Sequence, residues 1–446
     1  MKESHFQILN RCPHAQLAEQ VQRAELERTR GVSLKEGRFQ ILNRCPHVQL
    51  AELERTRGVI MEKESNLSWV SEAIEKIKDK MAWVSEKSRD KIPYTTVDGT
   101  HDDKGDSTKD FAADNGINWW CNGFWPGMMW LMYHETGEEK YAEIARRVEE
   151  KLDKCFEDFY GLHHDVGFMW LPSAVADYRL TGNVVSRKRG LHAANLLAGR
   201  FNPAGHFLRA WNDIPGSEKD TRGWVIIDSM LNIPLLYWAS EETDDSRFRQ
   251  MAMMHADTVM DNFVRPDGSV RHIVEFNPET GEFICDYGGQ GYEQGSSWTR
   301  GQAWGIYGFL MSYRHTGKQE YLDMAKQIAH YFIACIPKDG RVPVDFRQPM
   351  EPAWCDDSAA AIAACGLLEI AKEVGEFEKE LYMSSACRLL KVMYEMHCDF
   401  SHDNDCILQK CTGAYHDKNH EFSIIYGDYY FMEALFKLKG NDVFLW

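Results

Sequence analysis

Two aspartates, Asp228 and Asp165, are the residues of this sequence best suited to acid–base chemistry. Asp228 stands near the start of the apolar run 224–238, and Asp165 comes just before another apolar stretch. A carboxyl group buried among apolar side chains keeps its proton to a higher pH, as a general acid must. Paired carboxylates in different environments are the usual catalytic groups of glycoside-bond chemistry. The simpler alternative is that both are helix N-caps.

A third stretch suggests how an anionic ligand would be held. Arg300 lies between Trp298 and Trp304. The arginine fork matches a carboxylate, and the flat indole rings suit sugar faces. His272 and Gln290 lie upstream in predicted loops and would complete a polar cluster. The alternatives are an arginine that packs on tryptophan and a histidine with a structural role.

One pattern returns along the chain and predicts the elements that position these residues. A helix rich in aromatic or leucine residues ends in Thr-Gly or a similar turn, and an amphipathic helix follows. Glycine commonly ends a helix, and apolar residues at a period of 3.6 mark a helix packed on one face. The copies lie at 130–145, 176–193, 236–252, 312–325 and 368–386, with a half-copy at 433–440.

About six hairpins with long loops predict an all-α fold, a closed double ring of helices whose inner members are the more apolar. The loops at one rim would then form the pocket. The Gly-rich tract 286–291 is one such rim loop, where functional residues tend to lie. A small β-hairpin is predicted over 269–283, with its turn at 277–281.

A repeat sets the first 60 residues apart from the rest. The segment 6–14 returns at 39–47, and a second segment returns at a different spacing. Two copies are too few for a solenoid. We interpret residues 1–60 as a duplicated polar leader outside the catalytic unit, and 61–446 as the catalytic domain.

Composition excludes several classes of function. The net charge of −17 argues against a nucleic-acid-binding face. No apolar run reaches about 18 residues, so no membrane span is predicted. The polar start lacks a signal-peptide core, and the 12 scattered cysteines predict reduced thiols in a cytoplasmic protein. The cysteines and histidines of 397–416 lack metal-site spacing, and no nucleotide or dinucleotide motif occurs, so neither metal nor cofactor is expected.

Several longer motifs carry a family resemblance. Residues from about 66 to the C-terminus resemble the unsaturated glucuronyl hydrolases of glycoside hydrolase family 88. The motifs that match lie at 120–127, 163–168, 226–236, 297–309 and 427–435. The resemblance implies an (α/α)6 barrel and a monomer or homodimer that acts on unsaturated di- or oligosaccharides. Such enzymes remove a 4,5-unsaturated uronic acid from the non-reducing end by hydrating its double bond.

The resemblance also implies roles for individual residues. Asp228 matches the general acid/base and Asp165 the second essential carboxylate. The positions that match the substrate pocket are Trp120, Trp211, His272, Gln290, Trp298, Arg300, Trp304 and Tyr415. Family members that accept sulfated disaccharides carry Ser-x-x-Ser-x-Lys near Tyr415, whereas this chain has Ala-Tyr-His-Asp-Lys-Asn at 414–419. Unsulfated or lightly sulfated substrates are therefore expected.

Three other functions remain open at this point. An unsaturated rhamnogalacturonyl hydrolase on the same barrel would act on pectin fragments, although the run 298–304 favours the glucuronyl type. A sugar 2-epimerase on a related toroid would rely on histidine pairs. A non-catalytic scaffold of helical hairpins would present regular repeats and a groove, whereas this chain places Gly- and Trp-rich loops between unequal hairpins.

Overall fold

Apolar and amphipathic helices alternate along the computed structural model, which describes residues 68–105, 116–157, 159–213, 219–441 and 445–446. The predicted leader lies outside these residues. The helices are α1 (Ser68–Lys87), α2 (Phe124–Thr136), α3 (Glu139–Leu152), α4 (Lys154–Glu157), α5 (Val166–Trp170), α6 (Ala176–Thr181), α7 (Val184–Ala198), α8 (Pro234–Thr243), α9 (Ser246–Phe263), α10 (Thr299–Thr316), α11 (Gln319–Cys335), α12 (Asp357–Glu373), α13 (Glu376–Met396) and α14 (Ile425–Lys439).

Six helical pairs form the predicted double ring, and burial separates its two layers. In the inner helix α12 every residue from Asp357 to Ala371 is buried, whereas α13 buries one stripe of side chains. The inner ring runs through α2, α5–α6, α8, α10, α12 and α14, and α14 returns to pack against α2. The sixth pair joins the two ends of the described chain, because α1 packs on α14. The all-α double ring is thus confirmed.

Left-handed glycines end several inner helices, as the Thr-Gly pattern predicts. Gly137, Gly182, Gly317 and Gly440 have φ values of 73°, 76°, 70° and 85°, a region that suits glycine. Gly375 differs from the prediction, because its φ is −68° and it stands at the N-cap of α13.

A small antiparallel sheet carries part of the rim. Its strands are β5 (Trp224–Ile226), β6 (Ile273–Phe276) and β7 (Phe283–Tyr287), in the order β5-β6-β7. Shorter hairpins precede it, from β1 (Thr96–Val97) with β2 (Thr100–His101) and from β3 (Phe201–Asn202) with β4 (Phe207–Leu208). The predicted hairpin around 269–283 is confirmed, while β5 joins it from a distant part of the sequence. No described helix is long and apolar enough to cross a membrane.

Candidate active site

Asp228 lies where β5 gives way to the 3₁₀ turn Ile227–Leu231. The turn is fixed from both sides, because Ile227 N–H donates to His272 O at 3.1 Å and Ser229 Oγ donates to Ile226 O at 2.6 Å. The Asp228 side chain is 16% exposed and caps no helix. Its Oδ1 is buried and makes no hydrogen bond of normal geometry with a described residue. The N-cap interpretation is therefore wrong for Asp228.

The surroundings of Asp228 favour its protonated form. Burial raises the pKa of Asp228 to about 7, and the negative charge of Asp165 acts in the same direction. The charge of Arg300 and the indole N–H of Trp304 oppose this rise in pKa. Near neutral pH the carboxyl therefore exchanges readily between acid and base forms, which suits a group that must donate a proton and take one back.

Asp165 occupies the N-cap position of α5 but makes no capping hydrogen bond. Its Oδ2 lies 3.1 Å from His163 Nδ1 and 3.2 Å from His164 Nε2. Burial raises the pKa of Asp165, but the two histidines outweigh burial and hold that pKa well below its ordinary range. The N-cap interpretation gives the position of Asp165 correctly, but its capping hydrogen bond is absent, because the carboxylate faces side chains instead of the first turn of the helix. The pair thus combines one charged and one protonatable carboxyl group.

A buried amide, Asn232, connects the two carboxylate segments. Its Nδ2 lies 3.1 Å from Asp165 Oδ1 and 3.1 Å from the backbone oxygen of Asp228, so each amide hydrogen has an acceptor. Its Oδ1 accepts the N–H of Phe168 at 2.8 Å. Gly167 makes the approach possible, because a Cβ there would lie 2.5 Å from Asn232 Cα and 2.6 Å from its Oδ1.

His272 lies beside Asp228 in a fixed tautomer. Its Nδ1 lies 3.3 Å from Gly288 O but accepts the backbone N–H of Gln290 at the shorter distance of 2.9 Å, and this contact favours the neutral ring with its proton on Nε2. Burial lowers the pKa of His272 to about 3, which keeps the ring neutral. The Nε2 atom lies 3.7 Å from Asp228 Oδ1. Gly289 lies against the ring, leaving no room for a Cβ.

Arg300 is buried and its two terminal nitrogens have partners inside the protein. Nη1 donates to Asp356 Oδ2 at 2.6 Å and to Thr412 O at 2.7 Å, while Nη2 donates to Gln290 Oε1 at 3.2 Å and to Gly413 O. The guanidinium also stacks on Trp298, 4.5 Å from the ring centroid. Packing on tryptophan is thus observed, and contact with a substrate carboxylate stays a prediction.

Aromatic rings surround the polar groups. The ring of Phe168 lies 4.8 Å from that of Trp304 and 5.4 Å from that of Trp120, and Trp298 lies 4.2 Å from the His272 ring. The indole N–H groups of Trp298 and Trp304 are buried without a hydrogen bond of normal geometry to a described residue. The indole N–H of Trp298 is therefore a donor available to a ligand, whereas that of Trp304 acts on the Asp228 carboxyl.

The two remaining predicted pocket residues differ in how they connect to this cluster. The backbone N–H of Tyr415 donates to Gln290 O at 2.9 Å, which joins its loop to the polar groups. Trp211 instead packs on Trp224, with ring centroids 6.0 Å apart. Within the described part of the chain, no hydrogen bond joins the Trp211 side chain to Asp165 or Asp228.

The sequence of this chain matches a known protein family. The model of glycosyl hydrolase family 88 matches residues 84–446. The chain belongs to glycosyl hydrolase family 88. It is therefore a glycosidase, and the resemblance stated from the motifs is confirmed.

Two relatives of this family 88 enzyme are both named as hydrolases of unsaturated sugars. The unsaturated glucuronyl hydrolase of Bacillus sp. (strain GL1) is 38% identical over 334 residues, which cover 73% of this chain and 88% of the relative. The unsaturated chondroitin disaccharide hydrolase of Streptococcus pyogenes serotype M1 is 35% identical, and the matched residues cover 71% of this chain and 80% of the relative.

Solved structures confirm the (α/α)6 barrel. The crystal structure of the Bacillus sp. GL1 unsaturated glucuronyl hydrolase has a TM-score of 0.76 at 34% identity and covers 83% of this chain and 97% of its own. A mutant of the unsaturated glucuronyl hydrolase from Streptococcus agalactiae, complexed with dGlcA-GalNAc6S, has a TM-score of 0.70 at 30% identity. The match covers 84% of this chain and 93% of that structure.

Four polar residues of the family 88 site had no role in the sequence-based prediction. They are Asn232, His163, His164 and Asp356, which hold Asp165 and Arg300 in place. Asn232 had a usable signal, because it is a polar residue inside the same apolar run as Asp228. No sequence signal pointed to Asp356, because it lies 56 residues from Arg300 and only the fold brings the two together.

Three consecutive residues, His163, His164 and Asp165, offer ligand-type atoms within 4.8 Å of one another. In this family 88 enzyme the two imidazoles contact the Asp165 carboxylate directly, and these contacts account for its low pKa. The sequence did not single out this group as a metal site.

Proposed function

We propose that this enzyme removes 4,5-unsaturated uronic acid from the non-reducing end of lyase-generated glycosaminoglycan oligosaccharides. The observation that carries the proposal is Asp228, a buried carboxyl with a pKa of about 7 beside the charged Asp165. Protonating the carbon of an enol ether requires a neutral acid close to that carbon, and an ordinary aspartate with a pKa of about 3.9 is rarely protonated near neutral pH.

The reaction begins when Asp228 gives its proton to C4 of the unsaturated sugar. The C4=C5 electrons form the new C–H bond, and positive charge develops on C5 and the ring oxygen. Water adds at C5 and gives a proton to Asp228, which restores the acid. The resulting hemiketal opens at the bond between C5 and the ring oxygen. The hemiacetal this leaves at C1 then expels the shortened glycan and a 4-deoxy-5-keto uronate, so one water is consumed.

The neighbours of Asp228 stabilise the transition state, position the carboxylates and bind the sugar. Asp165 stays ionised and stabilises the positive charge of the transition state, and Asn232 fixes its distance from Asp228. His272 directs an N–H into the site without carrying charge. Gln290, Arg300 and the aromatic residues Trp120, Trp211, Trp298, Trp304 and Tyr415 bind the sugar.

The loop 414–419 is the basis of a preference for unsulfated or lightly sulfated substrates. It lacks the two serines of the Ser-x-x-Ser-x-Lys pattern, and Asp417 adds a negative charge that repels sulfate. We expect a higher kcat/KM on unsulfated than on 6-sulfated unsaturated chondroitin disaccharide. Equal or faster turnover of the sulfated substrate would exclude this preference.

Two measurements test the reaction itself. Wild-type enzyme should abolish the ultraviolet absorbance of the double bond, and in D2O it should place deuterium on C4 of the product. Direct displacement at C1 would first release a sugar that still contains the double bond, and the absorbance would disappear only as that free sugar opens and ketonises, so its loss would lag behind release of the shortened glycan. Asp228→Asn should bind substrate, seen as ligand-induced thermal stabilisation, but should not turn it over. Asp323→Asn is the matched control, because Asp323 is exposed on the outer helix α11, where it accepts from Gln319 at 3.0 Å.

Location and assembly remain predictions. The ten cysteines of the described residues are all free thiols, which a cytoplasmic, reducing environment maintains. A monomer or homodimer is the assembly that we expect for this enzyme.

A further inference from the structure

A fully buried histidine of an outer helix contacts the turn that carries Asp228. His255 lies in α9, and its Nε2 is 2.7 Å from Oγ of Ser229, the residue that follows Asp228 in the sequence. Its other ring nitrogen, Nδ1, accepts the backbone N–H of Leu208 at 3.0 Å. The imidazole thus bridges β4 and the 3₁₀ turn Ile227–Leu231.

The direction of each hydrogen bond in this bridge is fixed. The backbone N–H of Leu208 can only donate, so Nδ1 carries no proton and the neutral ring holds its proton on Nε2. Burial lowers the pKa of His255 to about 3, which keeps the ring neutral. Nε2–H therefore donates to Ser229 Oγ, and the hydroxyl hydrogen is directed to Ile226 O, 2.6 Å away.

These hydrogen bonds hold one side of the Asp228 turn, whereas Asn232 Nδ2 holds the other, 3.1 Å from Asp228 O. Without the imidazole, the Ser229 hydroxyl would lose its donor while it stays buried, and it could rotate away from Ile226 O. A rotation of the turn would displace the carboxyl from the reacting carbon. Misplacement by about 1 Å can cost about 100-fold in rate.

We propose that His255 is a positioning residue, which acts through Ser229 to hold the Asp228 carboxyl in place for proton transfer. The inference rests on the proposed function, because that function makes Asp228 the acid. The side chains that we expect to bind the sugar lie on other elements, such as Arg300 and Trp304 on α10. Loss of His255 should therefore lower kcat and leave KM nearly unchanged.

Two amide replacements separate the two hydrogen bonds of the ring. The asparagine amide ends near the place of Nδ1 and can accept from Leu208, whereas the longer glutamine brings its amide nitrogen to the place of Nε2 and can donate to Ser229. His255→Asn should lower kcat by about 10- to 100-fold with KM within about twofold of wild type. His255→Gln should retain most of the wild-type kcat. A residue that only attached β4 to α9 would give the opposite order, and that result would overturn the proposal.

A double-mutant cycle tests the route through Ser229. Ser229→Ala alone should lower kcat to a similar extent, and adding His255→Asn to it should cost less than about twofold more. Fully additive losses, or an unchanged kcat in Ser229→Ala, would overturn the proposal. His330→Asn is the matched control, because His330 contacts Tyr382 Oη at 2.8 Å on the outer helix α11. It should keep the wild-type kcat and KM.

Circular dichroism establishes which variants are folded at the assay temperature. Ser229→Ala removes a single oxygen atom, so it carries the test where His255→Asn does not fold. Failure of the proposed function would look different, because wild-type enzyme would then leave the double bond of the unsaturated disaccharide intact.

Discussion

Asn232 donates an amide hydrogen to the Asp165 carboxylate across 3.1 Å, although the two residues are 67 positions apart in the sequence. The same nitrogen donates to the backbone of Asp228, so one buried side chain sets the spacing between the two carboxylates that we propose as catalytic. The electrostatic effect of Asp165 on Asp228 depends on that spacing. Asn232 is thus a positioning residue for the acid.

Replacing Asn232 by aspartate should expose this role, because the variant keeps the shape and loses the donor. Two carboxylates would then face each other, and the contact would form only when one is protonated. We expect kcat near neutral pH to fall by about 10- to 100-fold, with part of the loss recovered at lower pH. Asn262→Asp, on an amide that donates to Thr258 O, is the control. A pH-independent loss would indicate a purely structural role.

The pKa of Asp228 predicts the alkaline limit of activity. The acid must carry its proton in the free enzyme, and its pKa is about 7. The kcat/KM should therefore be level below that pH and fall by about tenfold per pH unit well above it. Circular dichroism over the same range separates this fall from unfolding. A kcat/KM that rises between pH 7 and 9 would contradict the assignment of Asp228.

Asp165→Asn should move that limit as well as slow the reaction. The charge of Asp165 raises the pKa of Asp228, so its removal lowers that pKa and leaves less of the acid protonated at neutral pH. We expect the alkaline limb to shift to lower pH and the maximal rate to fall by at least about 100-fold. An unchanged limb would show that Asp165 does not influence the acid.

The sequence predicted the fold because the hairpins are local. Each Thr-Gly turn joins two helices that are neighbours in the sequence, as at Thr299–Thr316 and Gln319–Cys335, so glycine and the 3.6-residue period act directly. The pairing of α1 with α14 and the addition of β5 to the predicted hairpin depend on contacts between distant residues, so local patterns do not contain them.

The candidate site was likewise predicted only in part. Asp228 stood out as a carboxylate in an apolar run, and the roles of both aspartates came from the family motifs. Neither the apolar run nor the family motifs showed that the terminal nitrogens of Arg300 donate hydrogen bonds to protein acceptors such as Asp356. They also did not show that Asn232 links the two aspartates. Such pairings arise only when the ring closes.

A buried acid far from the chemistry gives the last prediction, which concerns stability. Ser186 Oγ lies 2.7 Å from Glu149 Oε2 and 2.7 Å from Asp177 Oδ2, but a hydroxyl has only one hydrogen to share between them. Burial raises the pKa of Glu149 to about 8, with Asp177 acting in the same direction. Ser186, Trp130 and Arg189 lower this pKa, but burial outweighs them, and we therefore expect Glu149 to be protonated in the folded enzyme at neutral pH.

The folded state then binds one more proton than the unfolded state between the ordinary glutamate pKa of 4.5 and the folded value of about 8. The free energy of unfolding should consequently decrease as pH rises through this window, by at most about 5 kcal/mol. Glu149→Gln should remove the decrease and be more stable than wild type at pH 8, because an amide cannot ionise. Glu143→Gln, on the same helix α3 and exposed, is the matched control. Denaturant unfolding at pH 5, 6.5 and 8 makes the comparison, and parallel profiles for wild type and Glu149→Gln would show that Glu149 is ionised in the fold.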